Sequence, residues 1–305
     1  MAVKYSLVIH AGCEDIIPER YGPEAEHEHL AYLHKSLAAG RVVLEGGGNG
    51  LDAVCAAVEV LEDCPLFNAG RGSVFAHDGT IEMDASVMRG KDLSAGAVAG
   101  VTGIKNPVQA AALVLKKSSH VLLMGTGAER FARIHGLESA APEYFQTSRR
   151  REEYLAAKKQ AGEKFGTVGA VCLDRAGNLA AASSTGGIPC KQYGRVGDSP
   201  VIGAGVYADN AACAVSCTGE GEFFLRRAAA KRIACLVELG GFSLEAAVSE
   251  VLENIRNLGG KGGIIALDTA GSFTISFNTQ GMFRGLVREG EMERVAMFGP
   301  PGAWQ

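Results

Sequence analysis

Two β-rich runs, residues 167–173 and 178–184, are separated only by Asp174-Arg175-Ala176-Gly177. A connection this short joins antiparallel strands, because parallel neighbours need a crossover of a dozen residues or more. The arrangement recurs at 263–268 and 272–277, linked through Thr269-Ala270-Gly271. Further strands are predicted at 5–9, 80–88, 95–101, 121–124 and 212–217. Leu30, Leu33, Leu37, Val42 and Leu44 predict a helix over 23–45, stopped by Gly46-Gly47-Gly48. Val54, Val58 and Leu61 predict a second helix over 51–62. Asn106-Pro107 opens a third, with Asn as N-cap and Pro in the first helical position, running to about 117. A long helix over 219–239 and another over 244–257 follow. The helices come in groups between the hairpins, whereas a doubly wound parallel sheet would alternate strand and helix. The pattern therefore predicts two antiparallel sheets face to face, covered outside by helices.

Glycine accounts for 41 of the 305 residues, well above the usual share of about 7%. With only 9 prolines and no three-residue period, the excess is neither collagen-like nor low-complexity. The chain carries 30 basic and 34 acidic residues, a formal charge of −4, which argues against a nucleic-acid partner. The N-terminal apolar run is too short for a signal peptide, and no apolar stretch reaches the 18 or so residues of a membrane span. Cys13, Cys55, Cys64, Cys172, Cys190, Cys213, Cys217 and Cys235 are scattered without a CxxC pair, mostly inside apolar runs. They read as reduced, buried thiols of a soluble cytoplasmic protein.

All seven histidines precede residue 136, and neither HExxH nor a GxSxG elbow is present. His27, His29 and His34 read as exposed helix polarity rather than metal ligands. Gly125-Thr-Gly127-Ala-Glu-Arg130 is a truncated dinucleotide loop without the third glycine, a weak basis for an oxidoreductase. Nine charged residues of both signs within 149–164 read as a solvated helix or mobile linker.

Three Gly/Thr junctions remain in the second half: Gly166-Thr167-Val168-Gly169, Ser184-Thr185-Gly186-Gly187 and Cys217-Thr218-Gly219, together with Arg195-Val-Gly-Asp198. A threonine hydroxyl is a poor nucleophile without a base. An N-terminal threonine supplies its own, the α-amine, with a reference pKa of about 7.7–8.0. Thr167 gains that amine only if the chain is cut after Gly166. A charged segment upstream tolerates such a break, and Gly166 permits the strained backbone it needs. Thr218-Gly219 lies where a strand meets a helix, a natural oxyanion hole.

At these residues the sequence resembles the plant-type L-asparaginase group of N-terminal nucleophile (Ntn) hydrolases, also called isoaspartyl peptidases or β-aspartyl aminopeptidases. The resemblance is carried by Leu61-Glu-Asp-Cys-Pro-Leu-Phe-Asn-Ala-Gly70, Met83-Asp-Ala-Ser86, Ala95-Gly-Ala-Val98, Gly166-Thr-Val-Gly-Ala170, Ser184-Thr-Gly-Gly187, Gly194-Arg-Val-Gly-Asp-Ser-Pro200, Gly203-Ala-Gly205, Tyr207-Ala-Asp-Asn210 and Phe277-Asn-Thr279 with Gly281-Met282. These segments span nearly the whole chain in order.

The resemblance implies an α+β, four-layer αββα sandwich, the Ntn-hydrolase fold. It implies one domain over 1–305, self-cleaved between Gly166 and Thr167 into an α subunit (1–166) and a β subunit (167–305) that pair as an (αβ)₂ dimer. By the same resemblance Thr167 is the nucleophile, Thr185 bonds its hydroxyl, and Thr218 with the Gly219 amide forms the oxyanion hole. Arg195 grips the substrate α-carboxylate and Asp198 its α-amino group, with Gly219, Gly221 and Asn68 lining the site. No cofactor is implied for catalysis. In the family, loop carbonyls can hold a structural sodium ion, which makes Leu61, Glu62, Cys64, Phe67, Ala69 and Arg71 its candidate contacts.

The implied reaction is hydrolysis of isoaspartyl dipeptides and L-asparagine through an aspartyl-threonine ester. Two alternatives stand beside it: an uncleaved, catalytically silent relative acting as a binding module, and a glycosylasparaginase-like amidase. The chain departs from the family in reading His10-Ala11-Gly12-Cys13 for His-Gly-Gly, in a short linker before Gly166, and in Glu220, which reads as an outward-pointing helix-start charge.

Overall fold

The computed structural model describes residues 4–158, 166–300 and 304. In chain order its elements are β1 (Ser6–Glu14), α1 (Pro23–Glu45), α2 (Gly50–Asp63), β2 (Met83–Arg89), β3 (Ala95–Val101), α3 (Pro107–Lys117), β4 (Leu122–Met124), α4 (Gly125–Ile134), α5 (Pro142–Phe145) and α6 (Ser148–Ala157). There follow β5 (Val168–Leu173), β6 (Leu179–Thr185), β7 (Val206–Ala208), β8 (Ala214–Gly219), α7 (Gly221–Arg227), α8 (Ala229–Glu238), α9 (Leu244–Asn257), β9 (Gly262–Leu267), β10 (Phe273–Phe277), β11 (Gly281–Arg288) and β12 (Arg294–Ala296). They build an eight-stranded sheet, ordered β12-β11-β1-β5-β6-β2-β3-β4, and a four-stranded sheet, ordered β10-β9-β8-β7. Among the described residues every strand pair is antiparallel except β3 with β4.

Side-chain alternation along the central strands explains the layering. In β5, Ala170 and Cys172 face the apolar layer built with α1 and α2, while Val171 and Leu173 face the second sheet and its helices α8 and α9. Both faces of β5 are thus covered, as the predicted αββα sandwich requires. Small residues let these layers close up. A β-carbon on Gly40 of α1 would lie 3.0 Å from the Ala53 carbonyl of α2, so glycine sets that helix–helix distance.

Four sequence expectations change. The helix expected over 219–239 is two helices, because Ala228 adopts a left-handed conformation (φ 47°, ψ 51°) between α7 and α8. Residues 281–288 were not expected to form a strand, yet β11 lies beside β1. Its Arg284 is buried, stacked over Phe277 and Trp304, with Nη1 and Nη2 donating to the Met282 and Phe298 carbonyls. His29 is buried rather than exposed, stacked on Phe283 at 5.0 Å between ring centres.

The charged segment also differs from a solvated linker over its described part. Arg150 of α6 is buried, donating through Nε to the Gly72 carbonyl at 2.5 Å and through Nη2 to Leu66 at 3.2 Å. Residues 159–165 of that segment lie outside the described residues. Among the described residues no helix is long and apolar enough to cross a membrane, and no cluster of three His, Cys, Asp or Glu could hold a metal.

Candidate active site

The β5–β6 hairpin creates the site by register alone. Val168 pairs with Ser184, so the residue before β5, Thr167, and the last residue of β6, Thr185, come together at one end of the sheet. Thr167 Oγ1 donates to Thr185 Oγ1 at 3.2 Å. Thr185 Oγ1 in turn donates to the Gly166 carbonyl at 3.0 Å and accepts from the Gly187 amide at 3.0 Å. The second donor to the Gly166 carbonyl is Asn68 Nδ2, at 2.8 Å, which also reaches the Gly187 carbonyl at 2.6 Å. Asn68 is fixed by its own oxygen, which accepts from the Val74 amide at 3.0 Å. The carbonyl preceding Thr167 therefore accepts from two side-chain donors, one of which, Thr185 Oγ1, also holds the Thr167 hydroxyl.

The backbone at residues 10–13 closes over this bond. Gly12 has φ +109°, and a β-carbon there would lie 3.3 Å from Gly166 Cα and 3.8 Å from the Thr167 nitrogen. Only glycine meets both conditions. Beneath it, His10 Nε2 lies 2.9 Å from Ser216 Oγ, which bonds Ser183 Oγ at 2.7 Å. Complete burial pushes the His10 pKa down to about 3, so this imidazole is neutral.

Sequence reading did not assign Ser199, whose Oγ lies 3.4 Å from Thr167 Oγ1. Its carbonyl accepts from Ser86 Oγ at 2.5 Å, tying the site to β2. Asp84, two residues earlier in β2, sits directly across from Thr185. Both lie inside segments that carry the family resemblance, Met83–Ser86 and Gly194–Pro200, but nothing local in the sequence marks them out.

Arg195 and Asp198 lie next to each other around Gly221. A β-carbon on Gly221 would be 2.7 Å from Asp198 Oδ1 and 3.0 Å from Arg195 Nη2. Asp198 is buried, Oδ2 has no hydrogen-bond partner, and loss of water pushes its pKa up to about 7, opposed in part by Arg195. Arg195 is held by Glu222, Nε to Oε1 at 2.9 Å and Nη2 to Oε2 at 2.8 Å, a partner the sequence reading missed. Thr218 is fully buried at the end of β8 with its hydroxyl unpartnered. Gly219 follows at φ +139°, where a β-carbon would lie 2.5 Å from Gly262 Cα. Glu220 stands at the start of α7, as a helix-start charge does, and its half-exposed carboxylate also accepts from the Lys261 amide at 2.7 Å, just before β9.

The loop from Leu61 to Arg71 carries Asn68. A β-carbon on Gly72 would lie 2.9 Å from the Cys64 carbonyl and would collide with that of Phe67; one on Gly70 would collide with the Glu62 carbonyl. Glycines thus leave a cradle into which backbone oxygens turn, the donor set that a hard cation takes. The Glu62 side chain is buried, accepting from Ser184 Oγ at 2.6 Å and Val108 N at 2.9 Å, and burial pushes its pKa up to about 8. Leu61, Phe67 and Ala69 send their side chains into the core, while Arg71 lies over the Tyr144 ring at 5.4 Å.

The family model described as asparaginase matches residues 3–297. The chain is 47% identical to the isoaspartyl peptidase of Escherichia coli, over 98% of each chain. It is 43% identical to the isoaspartyl peptidase/L-asparaginase of Rattus norvegicus, over 95% of this chain and 88% of the relative. It is 41% identical to the plant-type L-asparaginase of Pyrococcus abyssi, over 95% and 99%.

Proposed function

The chain belongs to the asparaginase family, and on that footing we propose that it is an amidohydrolase releasing L-aspartate from isoaspartyl dipeptides and L-asparagine. The observation that carries this reading is the pair of donors, Asn68 Nδ2 and Thr185 Oγ1, on the one carbonyl that precedes Thr167.

In the uncut chain the Thr167 hydroxyl attacks the Gly166 carbonyl carbon, and the oxygen takes up negative charge between those two donors. The C–N bond breaks, the nitrogen takes the hydroxyl proton, and water hydrolyses the resulting ester. The products are subunits of residues 1–166 and 167–305, the second beginning with a free threonine amine. That amine then accepts the proton as Thr167 Oγ1 attacks the substrate side-chain carbonyl, and returns it to the departing amine or ammonia. The oxyanion of this second reaction faces Thr218 Oγ1 and the Gly219 amide. Water cleaves the aspartyl-threonine ester and frees aspartate. Arg195 binds the substrate α-carboxylate in fork geometry, and Asp198 accepts from the α-ammonium.

The carbonyls of Leu61, Glu62, Cys64, Phe67, Ala69 and Arg71 would hold a sodium ion, whose charge would fix the loop bearing Asn68. The cut subunits pair as an (αβ)₂ dimer. Exposed Val121, Leu122 and Met124 along the edge strand β4, with Ile134 on α4, support an apolar contact there. Eight free thiols suit a cytoplasmic setting.

Intact-protein mass spectrometry combined with an aspartate-release assay tests the reading. Two chains, the second beginning at Thr167, and release of aspartate are expected. A single stable 31.8 kDa species without aspartate release would overturn it.

A further inference from the structure

The Arg195 guanidinium is held in place from two directions. Its loop is fixed through Glu82: the Gly194 amide lies 3.1 Å from both carboxylate oxygens, and Lys191 Nζ donates to the Glu82 carbonyl at 2.7 Å. Its side chain is fixed through Glu222, in the first turn of α7, which takes the Nε/Nη2 edge in a two-bond fork. Nη1 takes no part in that fork and lies between Gly197 and Gly187, where β-carbons would come within 2.8 Å and 3.4 Å of it. Gly187 is the residue whose amide bonds Thr185 Oγ1 and whose carbonyl bonds Asn68. The donor that Glu222 leaves free, Nη1, therefore lies beside the residue that bonds both Thr185 and Asn68.

Asp198 supplies the second observation. It shares the space beside Gly221 with Arg195, yet among the described residues no ion pair joins the two, and Asp198 Oδ2 is buried without a partner. A buried carboxylate beside a guanidinium gains strongly by pairing with it. Here the Nε and Nη2 donors are committed to Glu222 instead. The result suits a zwitterionic ligand, whose two poles need two separate partners.

We propose that Glu222 is the positioning residue of the carboxylate clamp: it keeps Arg195 off Asp198 and turns the free guanidinium edge toward the bound substrate. Without it, Arg195 closes on Asp198, and the α-carboxylate and the α-ammonium of the substrate lose their partners together. This rests on the reaction proposed above, and its test includes a reading that needs no turnover.

Calorimetry with L-aspartate gives Kd, and steady-state hydrolysis of a β-aspartyl dipeptide gives KM and kcat, for the full-length protein and its Glu222→Ala and Glu222→Gln variants. Glu222→Ala should raise Kd and KM together by about tenfold or more, the effect of losing a charge-assisted contact, with kcat within about twofold. Glu222→Gln, which keeps the length and one acceptor oxygen, should recover part of the loss. Unchanged Kd and KM overturn the proposal. A fall in either also overturns it, since Glu222 would then be competing with substrate for Arg195. So does a loss confined to kcat, or a Gln variant no better than Ala. Should the Ala variant not fold, the Gln variant alone must show the rise in Kd and KM. A wild type that binds L-aspartate but hydrolyses nothing refutes the reaction, and the Kd comparison still decides Glu222.

Discussion

Asn68 Nδ2 lies 2.8 Å from the Gly166 carbonyl oxygen, so a loop near the start of the chain holds the peptide bond at its middle. The amide is already where charge gathers during attack on that carbonyl. Asn68→Ala should slow self-cleavage by roughly 10²–10³-fold, the usual cost of losing one oxyanion donor. A mass-spectrometric time course would show the full-length chain persisting. Cleavage at the wild-type rate would remove Asn68 from the step.

Thr167→Ala should leave one unbroken chain with no aspartate release, and continued release would mean that the nucleophile is another residue. Thr185→Val keeps the shape but removes the hydroxyl that bonds both Thr167 Oγ1 and the Gly166 carbonyl. It should slow self-cleavage, and once cut it should lower kcat more than it changes KM.

Arg195→Ala should raise KM for substrates with a free α-carboxylate by about 10- to 150-fold, matching about 1.5–3 kcal/mol for hydrogen bonds to a charged group. An unchanged KM rules out the clamp.

Activity should fall on the acid side for two reasons. Burial holds the Asp198 pKa up at about 7, and it must be ionised to accept from an ammonium. The Thr167 amine must be neutral, with a reference pKa of about 7.7–8.0. The slope of log kcat/KM against pH should approach about two below neutrality. Asp198→Asn should lower activity and return the slope to about one. A slope unaffected by that change would exclude Asp198 from the profile.

Glu62 links pH to stability. Its folded pKa is raised from 4.5 to about 8 by burial, so the folded chain binds more protons than the unfolded one between those values. Stability contributed by this group is therefore lost as pH rises through that window. Glu62→Gln removes the penalty, and its Tm relative to wild type should be higher at pH 9 than at pH 5. The same difference at both pH values would contradict the assignment.

The hairpins and the proline-opened helix were legible because turn chemistry and periodicity are local. β11 was not, because Arg284 sits inside it and stays buried only through contacts with Phe277, Trp304 and distant carbonyls. The break at Ala228 carries no glycine or proline to announce it. Thr167, Thr185 and Thr218 were legible as glycine-flanked junctions. Ser199 and Glu222 were not, because their roles depend on neighbours brought together only by folding. Arg150 looked like one charge in a polar run until its carbonyl partners, 78 and 84 residues away in sequence, came into place.

The strand order has a mechanical consequence for a chain cut after Gly166. In the larger sheet β1 runs between β11 and β5, while β6 is flanked by β5 and β2. The two pieces thus share one sheet, with β1 of the first held between β11 and β5 of the second. Dilution should therefore not separate them, and gel filtration at falling concentration should keep both pieces in one peak. Cleavage would give the enzyme a new chain end and leave that shared sheet unbroken.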